Sequence, residues 1–270
     1  MKQAIRMLLR TLSGRPKTSA ESDVYIVSYP KSGRTWLRAL IGKYLSLKYE
    51  IPEDLILSTE SITTKSGLPK VSFTHAGTEM GSDSVGPPKD LSRVRHKRSY
   101  NHVILLGRDV KDILVSSYFQ ATKRSFLFTG TISEFIATRR FGVLRILEFY
   151  DIWLRTRHLT DSFLFIRYEQ LHQNPQATLA RVLNFIGEND IDDNALEQSV
   201  EYCAFDKLRK LEAQGRFKES SLRTRNPEDP ESYKTRRGEI GGYTEFLSEA
   251  DQRFIDEAIK AQKFDFDKLG

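Results

Sequence analysis

Residues 25–37 read Tyr-Ile-Val-Ser-Tyr-Pro-Lys-Ser-Gly-Arg-Thr-Trp-Leu, and this stretch decides the fold. Residues 24–27 are β-branched or aromatic throughout, the composition of a parallel strand buried on both faces. Pro30 has no N–H for a central ladder and stops the strand. Gly33 permits a sharp turn or a close backbone approach. Beyond Thr35, Leu37, Leu40, Ile41 and Tyr44 recur at helical spacing. The spacing therefore predicts a strand, a tight loop and a helix whose free N–H groups and dipole converge on one point. Lys31, Ser32 and Thr35 add side chains there, which makes the loop a phosphate cradle.

Working outward, three more segments read as strands. Residues 103–106 form a continuous apolar run, the signature of a central strand, and 163–166 form another. Residues 70–74 make a shorter one. Helical periodicity covers 110–123, 132–139, 143–157, 175–187, 192–204 and 249–262. Asp109 is an acid suited to a helix start, and Pro175 opens a helix that closes at Gly187. Residues 51–67 read as mostly loop with one short helix, and 214–237 as a long loop or lid. Strands separated by helices imply right-handed crossovers and an α/β fold, a central parallel sheet flanked by helices. No internal repeat or low-complexity linker divides the chain. Residues 1–23 are expected to be a polar lead-in with a short amphipathic helix, and 24–270 one domain. Ligands in such sheets bind beyond the carboxyl ends of the strands, which is where the cradle sits.

The net charge of +6 over 270 residues suits an anionic ligand and is too dispersed to argue for nucleic acid. The basic run at 93–98 reads as a solvated face. A single cysteine, Cys203, excludes an internal disulfide and points to a reducing, cytoplasmic compartment. It is expected to be a small buried residue rather than a nucleophile. No apolar run reaches the 18 residues or more of a membrane span.

The order P-K-S-G-x-T-W is not the triphosphate loop, which places its Lys after a second Gly. It resembles the cytosolic-type sulfotransferases, and two further segments carry the resemblance. Arg108-Asp109-Val110-Lys111-Asp112 followed by Val115-Ser116-Ser117-Tyr118 is similar to that family's R-[DN]-x-x-D-x-x-V-S-x-Y. Arg236-Arg237-Gly238-Glu239-Ile240-Gly241-Gly242-Tyr243 is similar to its R-K-G-x-x-G-D-W loop. The resemblance implies a P-loop-like nucleotide-binding topology and the donor adenosine 3′-phosphate 5′-phosphosulfate (PAPS), released as the 3′,5′-bisphosphate (PAP). The cradle, Lys31, Ser32, Gly33, Arg34, Thr35 and Trp36, would take the 5′-phosphosulfate and the adenine edge. Arg108, Ser116, Arg236, Arg237 and Gly238 would take the 3′-phosphate. Tyr168, just past the strand at 163–166, matches the family's Y-E-D-L segment and would touch the adenine; stacking a base on an aromatic face is worth ~1–3 kcal/mol.

Residues 69–75, Pro-Lys-Val-Ser-Phe-Thr-His, resemble P-R-x-x-K-T-H, whose His is a general base. The resemblance therefore implies His75 as base, a role that suits a group titrating near neutrality, and Lys31 as the cation at the leaving oxygen. Phe73 stands where the family has a Lys. The expected reaction is in-line sulfo transfer to a hydroxyl, or an amine, of a small molecule. Carbohydrate and lipid acceptors are the alternatives, as is a small-molecule kinase. No cluster has metal-ligand spacing, so no metal is expected. Neither nucleic acid nor an integral membrane partner is expected. The family's C-terminal dimer motif is not found after Tyr243, which leaves the oligomeric state open.

Overall fold

A computed structural model describes residues 22–76, 78, 100–214, 233 and 238–266. The expectations for the lead-in at 1–21, the basic run at 93–98 and the cations Arg236 and Arg237 lie outside the described residues. So does nearly all of the long loop.

Four strands form one parallel sheet: β1 (Val24–Ser28), β2 (Val71–Thr74), β3 (His102–Gly107) and β4 (Ser162–Arg167), in the order β2-β1-β3-β4. The register aligns their carboxyl ends. Val27 pairs with Thr74 and Leu105, Leu106 pairs with Ile166, and Gly107 pairs with Arg167. Tyr29, His75, Arg108 and Tyr168, the residues that follow each strand, therefore emerge along one edge.

The strands alternate between two cores. Val24, Ile26, Ile104, Leu106 and Ile166 pack on one face against α1 (Arg34–Lys48), α2 (Thr59–Lys65), α7 (Pro175–Phe185) and α8 (Asp193–Tyr202). Tyr25, Val27, Val103, Leu105 and Phe165 pack on the other against α3 (Val110–Phe119), α5 (Val143–Thr156) and α10 (Glu249–Ala261). Both faces of the central strands are thus dry, which explains their unbroken apolar runs. α4 (Ile132–Ala137) packs Phe135 on Phe141 in a satellite cluster.

The helix starts follow local chemistry. Asp109 caps α3 by accepting the Asp112 N–H at 3.0 Å. Asn174 caps α7 ahead of Pro175, and Ser248 closes a capping box with Asp251. Two differences from the sequence reading concern the site. The helix expected over 110–123 ends at Phe119 and continues as one wide turn, Gln120–Arg124. Two unexpected helices, α6 (Tyr168–Gln173) and α9 (Phe205–Ala213), complete the cavity described next.

Candidate active site

The cradle is held by its backbone. Lys31 lies in the left-handed region at φ 74, rare for a residue with a Cβ, and Gly33 follows at φ 90. A Cβ on Gly33 would sit 2.4 Å from Tyr168 Cδ2, so this position needs glycine for its neighbour as well as its dihedral. Gly33 is the N-cap of α1 and offers no side-chain cap, and no acid stands in the first turn. Trp36 and Leu37 donate their N–H groups to Gly33 O at 3.0 and 3.1 Å, and those of Arg34 and Thr35, ahead of the first helical bond, are left to a ligand. Arg34 occupies the end of the helix where a cation is least welcome. Burial, and then the neighbouring Arg38, pull it down to about 10 from the usual arginine range. An anion in the loop would relieve both effects. Ser32 is fully buried beneath the loop, so its side chain supports the turn rather than lining the cavity.

From the end of β3, Arg108 reaches across the edge. It donates to Lys31 O at 3.1 Å and to Glu239 O at 3.2 Å, and its guanidinium lies 4.4 Å from the centre of the Tyr168 ring. Its Nε is buried with no hydrogen-bond partner. Such an atom is costly unless a ligand satisfies it. The buried Tyr150 hydroxyl accepts the Arg108 backbone N–H at 3.3 Å and pins the turn. Arg108, Asp112, Ser116 and Gln120 follow at intervals of four and all line the same cavity, one stripe along α3.

Asp112 ties down the segment at 238–243. Its two oxygens accept the backbone N–H groups of Gly241 at 2.9 Å and Tyr243 at 3.3 Å, and it lies 3.8 Å from Arg108. Tyr168 donates its hydroxyl to Gly238 O at 2.9 Å. Gly238 has φ 73, and a Cβ there would meet Phe205 at 2.4 Å. This loop is stitched to α6, α3 and α9 at once. Desolvation first, then the neighbouring Asp112 and Glu169 charges, raise the Asp109 carboxyl. Its cap bond to the Asp112 N–H opposes them.

His75 stands just beyond β2. Its Nδ1 lies 2.8 Å from Ser28 O. A carbonyl only accepts, so Nδ1 carries the hydrogen and the neutral ring's lone pair is on Nε2. Thr78 donates to His75 O through its N–H and its hydroxyl, which fixes the turn after the histidine. Trp36 donates its indole N–H to Cys203 O at 3.0 Å, and its ring lies edge-on to Tyr168 at 5.7 Å. Cys203 is buried, as expected, and burial pushes its thiol well up.

These parts enclose one cavity of about 380 Å³, the size of a small-molecule site. Lys31, Gly33, Arg34, Thr35, Trp36, His75, Arg108, Ser116, Tyr168 and Gly238 all line it. The sequence reading missed His172, Phe205, Leu208 and Gln120, which line it too. His172 is one turn beyond Tyr168 on α6. Phe205, Leu208 and Leu211 recur at helical spacing, a signal for α9 that was present in the sequence.

A parallel sheet with an uncapped, cationic strand-to-helix loop and an arginine at the neighbouring strand end defines an α/β protein built around an anion cradle. The chain belongs to the sulfotransferase domain family, whose model matches residues 21–267. It is similar to cytosolic sulfotransferase 12 of Arabidopsis thaliana, 26% identical over 90% of this chain and 78% of that protein. Flavonol 3-sulfotransferase of Flaveria bidentis is 25% identical over 97% and 86%. Among solved structures, mouse sulfotransferase SULT7A1 complexed with PAP superposes with a TM-score of 0.63 at 20% identity, over 97% of this chain and 90% of that one. Retinol dehydratase in a complex with retinol and PAP gives 0.62 at 15% identity, over 93% and 83%. These structures share the P-loop-like fold. No described helix is long and apolar enough to cross a membrane.

Proposed function

We propose that this sulfotransferase takes its sulfo group from PAPS and passes it to a hydroxyl of a small-molecule acceptor, with His75 as general base. One observation carries the reading: His75, Lys31 and Arg108 come from three strand ends yet line one cavity. The residues fit the donor. An uncapped helix start, a cation destabilised at Arg34 and an orphaned Arg108 Nε each call for an anion. PAPS, when bound, supplies the sulfo group and leaves as PAP.

The chain's residues divide the work. His75 accepts the acceptor's proton at Nε2 while the new oxygen–sulfur bond forms and the sulfur–oxygen bond to the 5′-phosphate breaks. Lys31 meets the charge that grows on the departing oxygen. Arg108 and Ser116, with Arg236, Arg237 and Gly238, grip the 3′-phosphate. Ser32 supports the cradle around the 5′ end, which Gly33, Arg34 and Thr35 bind. Trp36 and Tyr168 hold the adenine. The chemistry is positioning and electrostatics, as in phosphoryl transfer, and asks for no metal. A phenol or alcohol is the leading acceptor class, a carbohydrate, lipid or amine the next, and a cytoplasmic location follows from the lone thiol. Residues 1–23 form a lead-in to the domain at 24–270.

The test is an acceptor panel incubated with PAPS and read by the mass gain of one sulfo group. Thermal shift with PAP against ATP runs beside it. Stabilisation by PAP and not ATP, with a sulfated product, is expected. Stabilisation by ATP alone would overturn the reading in favour of a kinase.

A further inference from the structure

Arg124 and Glu212 form an ion pair that lines no part of the cavity. Their charged groups lie 3.6 Å apart, with side-chain exposures of only 9% and 0%. Arg124 ends the wide turn Gln120–Arg124, and Glu212 lies near the end of α9. Both elements contribute walls. Gln120 opens the turn and lines the cavity, and its side chain donates to Ser125 Oγ at 2.9 Å. α9 contributes Phe205 and Leu208, with Phe205 pressed under Gly238 of the loop tied to Tyr168 and Asp112.

A buried ion pair is a poor source of net stability compared with apolar residues of the same volume, yet losing one partner is strongly destabilising. What it does well is fix one arrangement, because a charge cannot slide along a dry surface as a leucine can. Wide turns of this kind recur at functional sites, where they re-aim a helix end.

We propose that the Arg124–Glu212 pair is a positioning device for the site. It locks the wall bearing Gln120 to the wall bearing Phe205 and Leu208, so that occupancy beneath Gly238 is felt at Gln120. The locking stands on the ion pair alone. The transmission of nucleotide occupancy rests on the reading proposed above. Neither side chain touches a reactant, so the pair acts through Gln120, Phe205 and Leu208.

Amide hydrogen exchange on the full chain tests both parts. Without ligand, Glu212→Gln and Arg124→Met are expected to speed exchange over 121–127 and 205–213 together, by roughly tenfold or more. The exchanged pair R124E with E212R should bring both segments back. With PAP, the wild type should slow exchange in both segments, whereas Glu212→Gln should keep the slowing in 205–213 and lose it in 121–127. Should Glu212→Gln fail to fold, Arg124→Lys and the exchanged pair carry the test, and both should retain joint protection. Acceleration of one segment without the other overturns the lock. An unchanged PAP pattern in Glu212→Gln overturns the transmission. A wild type unprotected by PAP anywhere would instead strike the nucleotide reading, and the ligand-free comparison would still decide the lock.

Discussion

The two halves of the sheet edge hold their residues by different means. Beyond β1 and β2 the backbone does the holding: Lys31 is turned by its own left-handed dihedral, and His75 is oriented through Ser28 O. Beyond β3 and β4, side chains reach out and tie down the backbone of other segments. Arg108 bridges Lys31 and Glu239, Asp112 takes two N–H groups of the closing loop, and Tyr168 takes Gly238. The first half presents reactive groups, and the second is a preassembled grip. Truncating a side chain should therefore remove chemistry alone on the first side, and binding together with local order on the second.

The widest separation is expected from His75→Ala. Loss of a general base lowers turnover by ~10²–10⁴-fold, while PAP affinity by calorimetry stays within twofold or so of wild type. Turnover within tenfold would remove His75 from the role. Arg108→Met is expected to weaken PAP by ~1.5–3 kcal/mol, the range for hydrogen bonds to charged groups. It should leave adenosine 5′-phosphosulfate, which lacks the 3′-phosphate, nearly unaffected; equal losses for the two ligands would break the comparison. Asp112→Asn keeps the shape but loses the charged acceptor, so PAP should weaken by ~1–2 kcal/mol. Amide exchange at Gly241 and Tyr243 should quicken in the same variant, and unchanged exchange there would show that Asp112 does not order the loop.

The smallest effect has the opposite sign for stability and for binding. Arg34 is held near 10 in the folded chain, below its unfolded value, so its charge destabilises the empty fold at neutral pH. Arg34→Met is expected to stabilise the empty protein by about 1 kcal/mol after allowing for solvent screening, while weakening PAP. The linkage also has a pH window. Above about pH 10 the empty site loses the Arg34 proton and an anion must restore it, so wild-type PAP affinity should fall as pH rises there. A flat profile with a less stable Arg34→Met protein would contradict this account.

What could be read from residues alone was whatever is local. The strand, Pro30, Gly33 and the periodic run after Thr35 announce β1, the cradle and α1 without any distant neighbour. Asp109 and Pro175 announce their helices in the same way. The four-residue stripe from Arg108 was half legible, through Arg108 and Ser116. Asp112 looked like a pattern match, because the loop it ties down is 129 residues away in sequence. His172 was passed over because α6 is only six residues long and carries no Ser, Thr or Asp at its start; it is capped instead by the Gln170 side chain. The Arg124–Glu212 pair had no local signal. Each residue looks like an exposed charge on an amphipathic stretch until the two elements are placed together.

The dihedral at Lys31 has a consequence for how this chain would respond to selection. A left-handed backbone costs an ordinary residue ~1 kcal/mol or more and glycine almost nothing. Lys31→Gly should thus melt later than the parent and yet handle its donor poorly. Laboratory evolution that rewarded heat tolerance alone would drift toward that change and inactivate the catalyst, whereas selection on product formation would restore the ammonium group.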